Sequence, residues 1–343
     1  MEEITLDKSH FREVILGTPD QLAAGFDLAE SVSLPEGFTS LTISGMGGSA
    51  LPADVLRTFL FDIAEASGES VVPVYQNRGY AIQAGALVPG TLHVLSSYSG
   101  NTEETLETFQ EVVIERKLPA LALSAGGTLK ELSEANGIAH ITLPMPDEHF
   151  QPRMGTGYFL GVLLGILGRA GLIPDVRSQV VAAAEELKEA LPRLEEAGKL
   201  LAEKMKGSTP ILYASEKFRS VAMIGKIKIN ENAKTPAFYN VFPELNHNEM
   251  VGFSLPQGPF FVLMLRDPAD HPRNRKRYEL TLELLQEKGL TGEVLDMEGE
   301  SVYNKVLMSL GLLDFASYYL ALAYGQDPTP VDMVEALKGK LKA

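Results

Sequence analysis

Twice in its first half this chain passes from a short apolar run, through small and hydroxyl residues, into a helical pattern. Leu41-Thr42-Ile43 leads into Gly45-Met46-Gly47-Gly48-Ser49 and then Ala50-Leu51-Pro52-Ala53-Asp54-Val55-Leu56. Leu92-His93-Val94-Leu95 leads into Ser97-Tyr98-Ser99-Gly100-Asn101-Thr102 and then Glu103-Glu104-Thr105-Leu106. A strand that ends in small residues just before a helix start is an anion site. The first amides of the helix have no partner within it, and the helix dipole favours negative charge there. Hydroxyls add donors, and glycines let backbone come close to a ligand. Two such loops in one sheet point to a protein that grips a phosphate group. Each also has a plainer reading: a hydroxyl-rich N-cap at Asn101 or Thr102, and close strand–helix packing at Gly47-Gly48.

The surrounding pattern fits a sheet. Strands are expected at Leu41–Ser44, Val71–Tyr75, His93–Ser97, Ala120–Ser124 and Ala139–Leu143, with helices near 48–62, 102–116, 128–136 and 155–170. Short apolar strands alternating with helices imply a parallel sheet covered on both faces. Asp175 to Lys206 reads as a long helix or helix pair. A second alternation follows, with strands at Ile211–Ala214, Phe260–Leu265 and Gly292–Asp296 and helices near 216–230, 273–288, 302–323 and 331–342. The expectation is thus an α/β chain with two similar doubly wound layers. Ligands of open parallel sheets sit outside the carboxyl ends of the strands, where both loops fall.

Composition narrows the chemistry. The net charge of -15 argues against nucleic acid as a partner and requires any anion site to be locally positive. Without cysteine there is no disulfide, thiolate nucleophile or Cys-based metal site. The histidines, at 10, 93, 140, 149, 247 and 271, show no zinc-binding spacing, so no metal is expected. Neither loop has the Lys of a Walker A sequence or the glycine order of a dinucleotide fold. A small phosphorylated metabolite suits the pair better than a nucleotide. The start, Met1 to Thr5, is acidic and lacks a signal-peptide core, and the uncharged, apolar stretch Met154 to Gly168 is too short to span a bilayer. A cytoplasmic protein with no membrane partner is expected.

Other segments carry chemistry. Asn230-Glu231-Asn232 and Pro243-Glu244-Leu245-Asn246-His247-Asn248-Glu249 gather carboxylates, amides and a histidine, two proton-transfer groups among them. They also read as a helix C-terminus and a solvated loop. Arg153, before an apolar helix, can face a carboxylate, a phosphate or a developing oxyanion, or lie at the surface. In Asp327-Pro328-Thr329-Pro330-Val331 the default reading of Thr329 is a helix N-cap, and Lys338 reads as a solvated residue of that helix.

These segments together resemble the bifunctional phosphoglucose/phosphomannose isomerase family of the sugar isomerase (SIS) superfamily. The matching stretches are 44–49, 97–102, 152–153, 230–240, 243–249, 314–321 and 327–331, in family order. The resemblance implies two SIS domains, taken as 1–172 and 173–343, each a flavodoxin-like parallel sheet between helices. It implies a homodimer with active sites near domain and subunit boundaries, and cofactor-free interconversion of glucose 6-phosphate, mannose 6-phosphate and fructose 6-phosphate. Glu231 is implied as the base between carbons 1 and 2. His247 is implied in ring opening, reaching from a neighbouring subunit, and Arg153 in stabilising the enediolate. Gly47, Gly48, Ser49, Ser97, Ser99 and Thr102 are implied around the phosphate, Lys338 near the ring oxygen, and Thr329 in tolerance of both carbon-2 epimers. Where the family often carries Arg-Trp-Lys, this chain has Ile224-Gly225-Lys226. The alternatives are an SIS isomerase of another sugar phosphate, such as an amino-sugar phosphate, and a non-catalytic sugar-phosphate sensor.

Overall fold

Strands whose residues are apolar on both faces must be covered on both faces, and the chain supplies helices between nearly all of them. The computed structural model describes residues 6–341, so Met1 to Thr5 and the expected helix end at 342 lie outside it. Gly17–Lys188 forms one compact unit, and the described residues before and after it form another.

Helix α1 (Phe11–Glu30) leads to β1 (Ser40–Ser44), α2 (Leu51–Ser67), β2 (Val74–Asn77) and β3 (Thr91–Ser96). Then come α3 (Glu103–Phe109), continued by a π-helical turn over Gln110–Glu115, β4 (Ala120–Ser124), α4 (Gly127–Ala135), β5 (Ala139–Thr142) and α5 (Thr156–Arg169). All strand pairs are parallel, in the order β2-β1-β3-β4-β5. Ser44 pairs with Leu95, so the loops after β1 and β3 leave the sheet side by side.

Helix α6 (Arg177–Met205) is one helix despite Pro192, not a pair. It is followed by β6 (Thr209–Ser215), α7 (Arg219–Ala233), β7 (Phe238–Phe242), the single turn α8 (Glu249–Gly252) and β8 (Phe260–Arg266). The remaining elements are α9 (Pro272–Glu287), β9 (Thr291–Asp296), α10 (Val302–Ala323) and α11 (Asp332–Leu341). The second sheet, β7-β6-β8-β9, is parallel and repeats the order of the first four strands of the other sheet.

The sequence reading divides the chain once, at 172/173, whereas the compact units meet at 16/17 and 188/189, inside α1 and α6. Side-chain bonds account for the first of these. Arg12 Nη2 donates to Glu195 Oε2 at 2.7 Å, the Tyr319 hydroxyl donates to Glu195 Oε1 at 2.6 Å, and Phe11 stacks on Tyr318. Sequence periodicity missed α1, which carries Pro19 mid-helix, and β7. The strand expected at Val71–Tyr75 lies at Val74–Asn77.

Core helices are apolar nearly all round. Helix α10 is long and apolar enough to cross a membrane by composition, but 78% of its most apolar window is buried, as in the core helix of a globular unit. Helix α5 crosses α1 at two glycines. A Cβ on Gly161 would lie 2.4 Å from the Leu22 carbonyl oxygen, and one on Gly25 2.4 Å from that of Tyr158. Backbone is in the way in both cases, so the helices must move apart to admit a side chain. Gly161→Leu is expected to destabilise the protein by about 1–3 kcal/mol or more, measured as a lower urea midpoint with an unchanged slope.

Candidate active site

In a 2-1-3-4-5 sheet the strand order reverses between β1 and β3, and the crevice outside their carboxyl ends is the natural ligand position. Both sequence-predicted loops open there. They are tied together by Ser49, whose hydroxyl accepts the Tyr98 amide at 2.9 Å and whose carbonyl accepts the Ser96 hydroxyl at 2.8 Å. Within the second loop the Ser97 and Thr102 hydroxyls share a hydrogen bond of 2.8 Å, and the Asn101 amide donates to Ser99 Oγ at 3.2 Å. Asn101 Oδ1 accepts both the amide and the hydroxyl of Thr128, fixing the loop to α4. Gly100 has φ 69°, and a Cβ there would come 1.8 Å from the Gly126 carbonyl oxygen. Only glycine fits.

Neither helix start is closed by its own side chain. Thr102 takes the N-cap position of α3 and Ala50 that of α2, and neither makes a side-chain capping bond. Thr102 spends its hydroxyl on Ser97 instead, so the N-cap reading holds for its position but not for a side-chain cap. Ser49 and Ser97 are buried, while Ser99 and Gly47 are exposed. Arg153 is buried at 4% exposure in a 3-10 turn (Pro152–Met154). A Cβ on Gly48 would sit 2.4 Å from the Arg153 backbone nitrogen, so the bare Gly48 backbone lies directly against that turn. The structure thus brings Gly48, Ser49, Ser97, Ser99, Thr102 and Arg153 into two interlocked loops and one abutting turn.

The second unit uses the matching position differently. The loop after β8 carries Asp267 and Asp270. Asp267 Oδ1 accepts the Ala269 amide at 2.9 Å and the Lys305 ammonium at 2.7 Å, and Asp270 Oδ1 accepts the His271 amide at 2.6 Å. Its own carboxylates occupy the donors that an external anion would need.

Glu231 stands in the last turn of α7, as the helix-end reading expected, and is half-buried. Its surroundings are fixed by polar bonds that sequence reasoning missed. Lys228 forms a buried ion pair with Asp314 of α10. Asn232, fully buried, donates to the Ser317 hydroxyl at 2.9 Å, which donates to the Asp314 carbonyl. Lys234, in the left-handed conformation at φ 56°, ends the helix. Its ammonium donates to the Glu231 carbonyl at 2.6 Å and the Pro328 carbonyl at 3.0 Å, linking Glu231 to the segment bearing Thr329. Gly225 lies where α7 packs between Leu212 and Leu313, its Cβ position 2.5 Å and 2.7 Å from their methyl groups. A side chain there would require those leucine methyls to shift.

His247 ends a 3-10 turn, Glu244–His247, and is exposed. Its neighbours pin the turn. Leu245 is buried, Asn246 donates to the Thr281 hydroxyl at 2.8 Å, and Glu249 accepts the Tyr213 hydroxyl at 2.6 Å and a bond from Asn240. Burial, with the Glu249 carboxylate, pushes the Tyr213 hydroxyl well above its ordinary value, so it remains a donor. Thr329 is buried, its amide bonded to Asp327 Oδ1 at 3.0 Å. It is not the N-cap of α11. Val331 holds that place, its carbonyl accepting the Val334 and Glu335 amides. Lys338 lies on the exposed helix α11, paired with Glu335 at 2.7 Å.

The two sheets and the switch-point loops define the class. The C-terminal domain of glucosamine-fructose-6-phosphate aminotransferase from Francisella tularensis has the same fold, with a TM-score of 0.72 at 14% identity over 94% of this chain and 98% of that one. The chain has the two-domain SIS fold, and residues 194–341 match the family described as the bacterial phospho-glucose isomerase C-terminal SIS domain. A bifunctional phosphoglucose/phosphomannose isomerase from Caldicellulosiruptor bescii is 35% identical over 96% of this chain and 98% of its own length. One from Aquifex aeolicus is 36% identical over 89% and 91%. The chain belongs to the bifunctional phosphoglucose/phosphomannose isomerase family.

Gly48→Val is expected to push the first loop away from Pro152–Arg153 and to weaken binding of inorganic phosphate about tenfold or more, by loss of charge-assisted amide bonds. Calorimetric titration of the folded variant measures it, and unchanged affinity would place the anion elsewhere.

Proposed function

We propose that this chain interconverts glucose 6-phosphate and mannose 6-phosphate with fructose 6-phosphate, without a cofactor, as a cytoplasmic homodimer. The observation that carries the reading is the likeness, over nearly the whole chain, to relatives named for both activities. The loops after β1 and β3 anchor the phosphate, remote from the reacting carbons. Glu231 takes the proton from carbon 2 of the open-chain aldose and returns it to carbon 1, so one carboxylate serves both adjacent carbons. The oxygen on carbon 1 gains negative charge as the enediolate forms, and Arg153 stabilises it. His247 moves the proton that opens the ring, and Lys338 acts near the ring oxygen. Both aldoses lose their carbon-2 configuration in the same enediol. They differ in the face from which the proton returns, and Thr329 governs that choice, a reading supported by the Lys234 bonds that tie the neighbouring Pro328 to the Glu231 turn.

The exposure of His247 and of α11 supports the homodimer. Met333, Leu337 and Leu341 follow one another at four-residue spacing on that helix at 89%, 58% and 64% exposure, an apolar stripe that suits cover by a second copy.

A coupled assay for fructose 6-phosphate, with each aldose phosphate supplied separately and chelator present, is expected to show turnover of both. Turnover of neither overturns the reading. Glu231→Gln should lower kcat by about 10²–10⁴ with little change in KM, whereas Ser99→Ala should mainly raise KM. If His247 serves the neighbouring chain's site, co-refolded Glu231→Gln and His247→Ala chains should recover turnover that neither has alone. No recovery would return His247 to its own chain's site.

A further inference from the structure

The first two turns of α9 hold Arg273, Arg275, Lys276 and Arg277 with no carboxylate from His271 to Tyr278, in a chain of net charge -15. This is an arrangement that helix stability does not favour. The four cations stand at the positive end of the helix dipole and repel one another. Beside them an open cleft of about 570 Å³ lies at the carboxyl ends of β8 and β9. It is walled by Arg266 and Asp296, by Arg275, Lys276 and Glu279 of α9, and by two prolines. The carboxylates of this cleft are already engaged. Arg266 Nε and Nη2 bind the two Asp296 oxygens at 2.6 and 3.1 Å, and its Nη1 binds Glu279 at 3.1 Å. Arg275 and Lys276 line the same cleft and form no ion pair with any described residue.

We propose that this cleft is a second anion site, taking a small metabolite or inorganic anion that carries phosphate groups, held by Arg275 and Lys276. A guanidinium and an ammonium adjacent in sequence on the cleft wall supply the donors a phosphate needs, and a bound anion relieves the repulsion within the turn. The mode of binding differs from that of the first unit. The loop amides after β8 are taken by Asp267 and Asp270, so side chains, not backbone, hold the ligand. Charges gathered on an open surface are screened by salt, and the site therefore weakens steeply as ionic strength rises.

Inorganic pyrophosphate is the probe, titrated calorimetrically at low salt into the full chain carrying Gly48→Val, in which the first loop is weakened. Binding of one equivalent per chain is expected. Adding Arg275→Glu and Lys276→Glu should abolish it, and persistence of that equivalent would overturn the proposal. A second measurement needs no variant. In the wild-type chain, pyrophosphate should slow acylation of Lys276 several-fold while leaving exposed Lys288, at the far end of α9, unchanged. Equal rates at Lys276 with and without pyrophosphate would overturn the site.

Discussion

The bond from the Tyr98 amide to the Ser49 hydroxyl fixes what the first sheet can do. Strand order reverses between β1 and β3, which leaves the two chains rising from those strands free to diverge. Ser49 draws them together, and Gly48 and Gly100 let the joined loops approach Arg153 and Gly126 closer than any side chain permits. Two helix starts without side-chain caps then face one crevice. The hydroxyls that ordinarily cap helices bond to each other or to a neighbouring loop instead.

The second sheet shows the same topology put to another use. Asp267 and Asp270 satisfy the amides of the loop after β8, and Asp267 also pairs with buried Lys305. The carboxylate that the sequence singles out in this unit, Glu231, stands on α7 instead. Removing one partner of a buried ion pair such as Lys228–Asp314 costs about 3–5 kcal/mol, because the other charge is left alone in a poor solvent. Such a pair, with Asn232 and Ser317 one turn on, holds the end of α7 to α10. Glu231 therefore projects from a helix end held from below by polar bonds and from behind by Lys234.

The loops were legible in the sequence because everything that defines them is local: an apolar run, small residues, a helix start. The parallel sheets followed from the alternation around them. Helix α1 was hidden by Pro19, whose missing amide hydrogen normally ends a helix. Strand β7 was hidden by its exposed Phe238 and by Asn240, a poor strand former that here binds Glu249. The bonds around Glu231 were illegible for a different reason. Lys228 and Asp314 are separated by 86 residues and Asn232 and Ser317 by 85, and nothing local marks them as partners. Thr329 was misplaced as a cap because Thr-Pro fits a helix start, while Asp327 had already claimed its amide.

A net charge of -15 makes holding a phosphate a question of local field rather than overall attraction. Backbone amides suit that task because they are fixed in place, carry no counter-charge, and act at hydrogen-bond range where distant carboxylates are screened. An anchor of this kind also suits proton transfer at the other end of a sugar. The phosphate is unchanged by the reaction, so its binding holds ground state and transition state alike. What distinguishes the two is the charge that grows on the enediolate oxygens. Groups that act on those oxygens therefore have to do work that the anchor's uniform binding does not do.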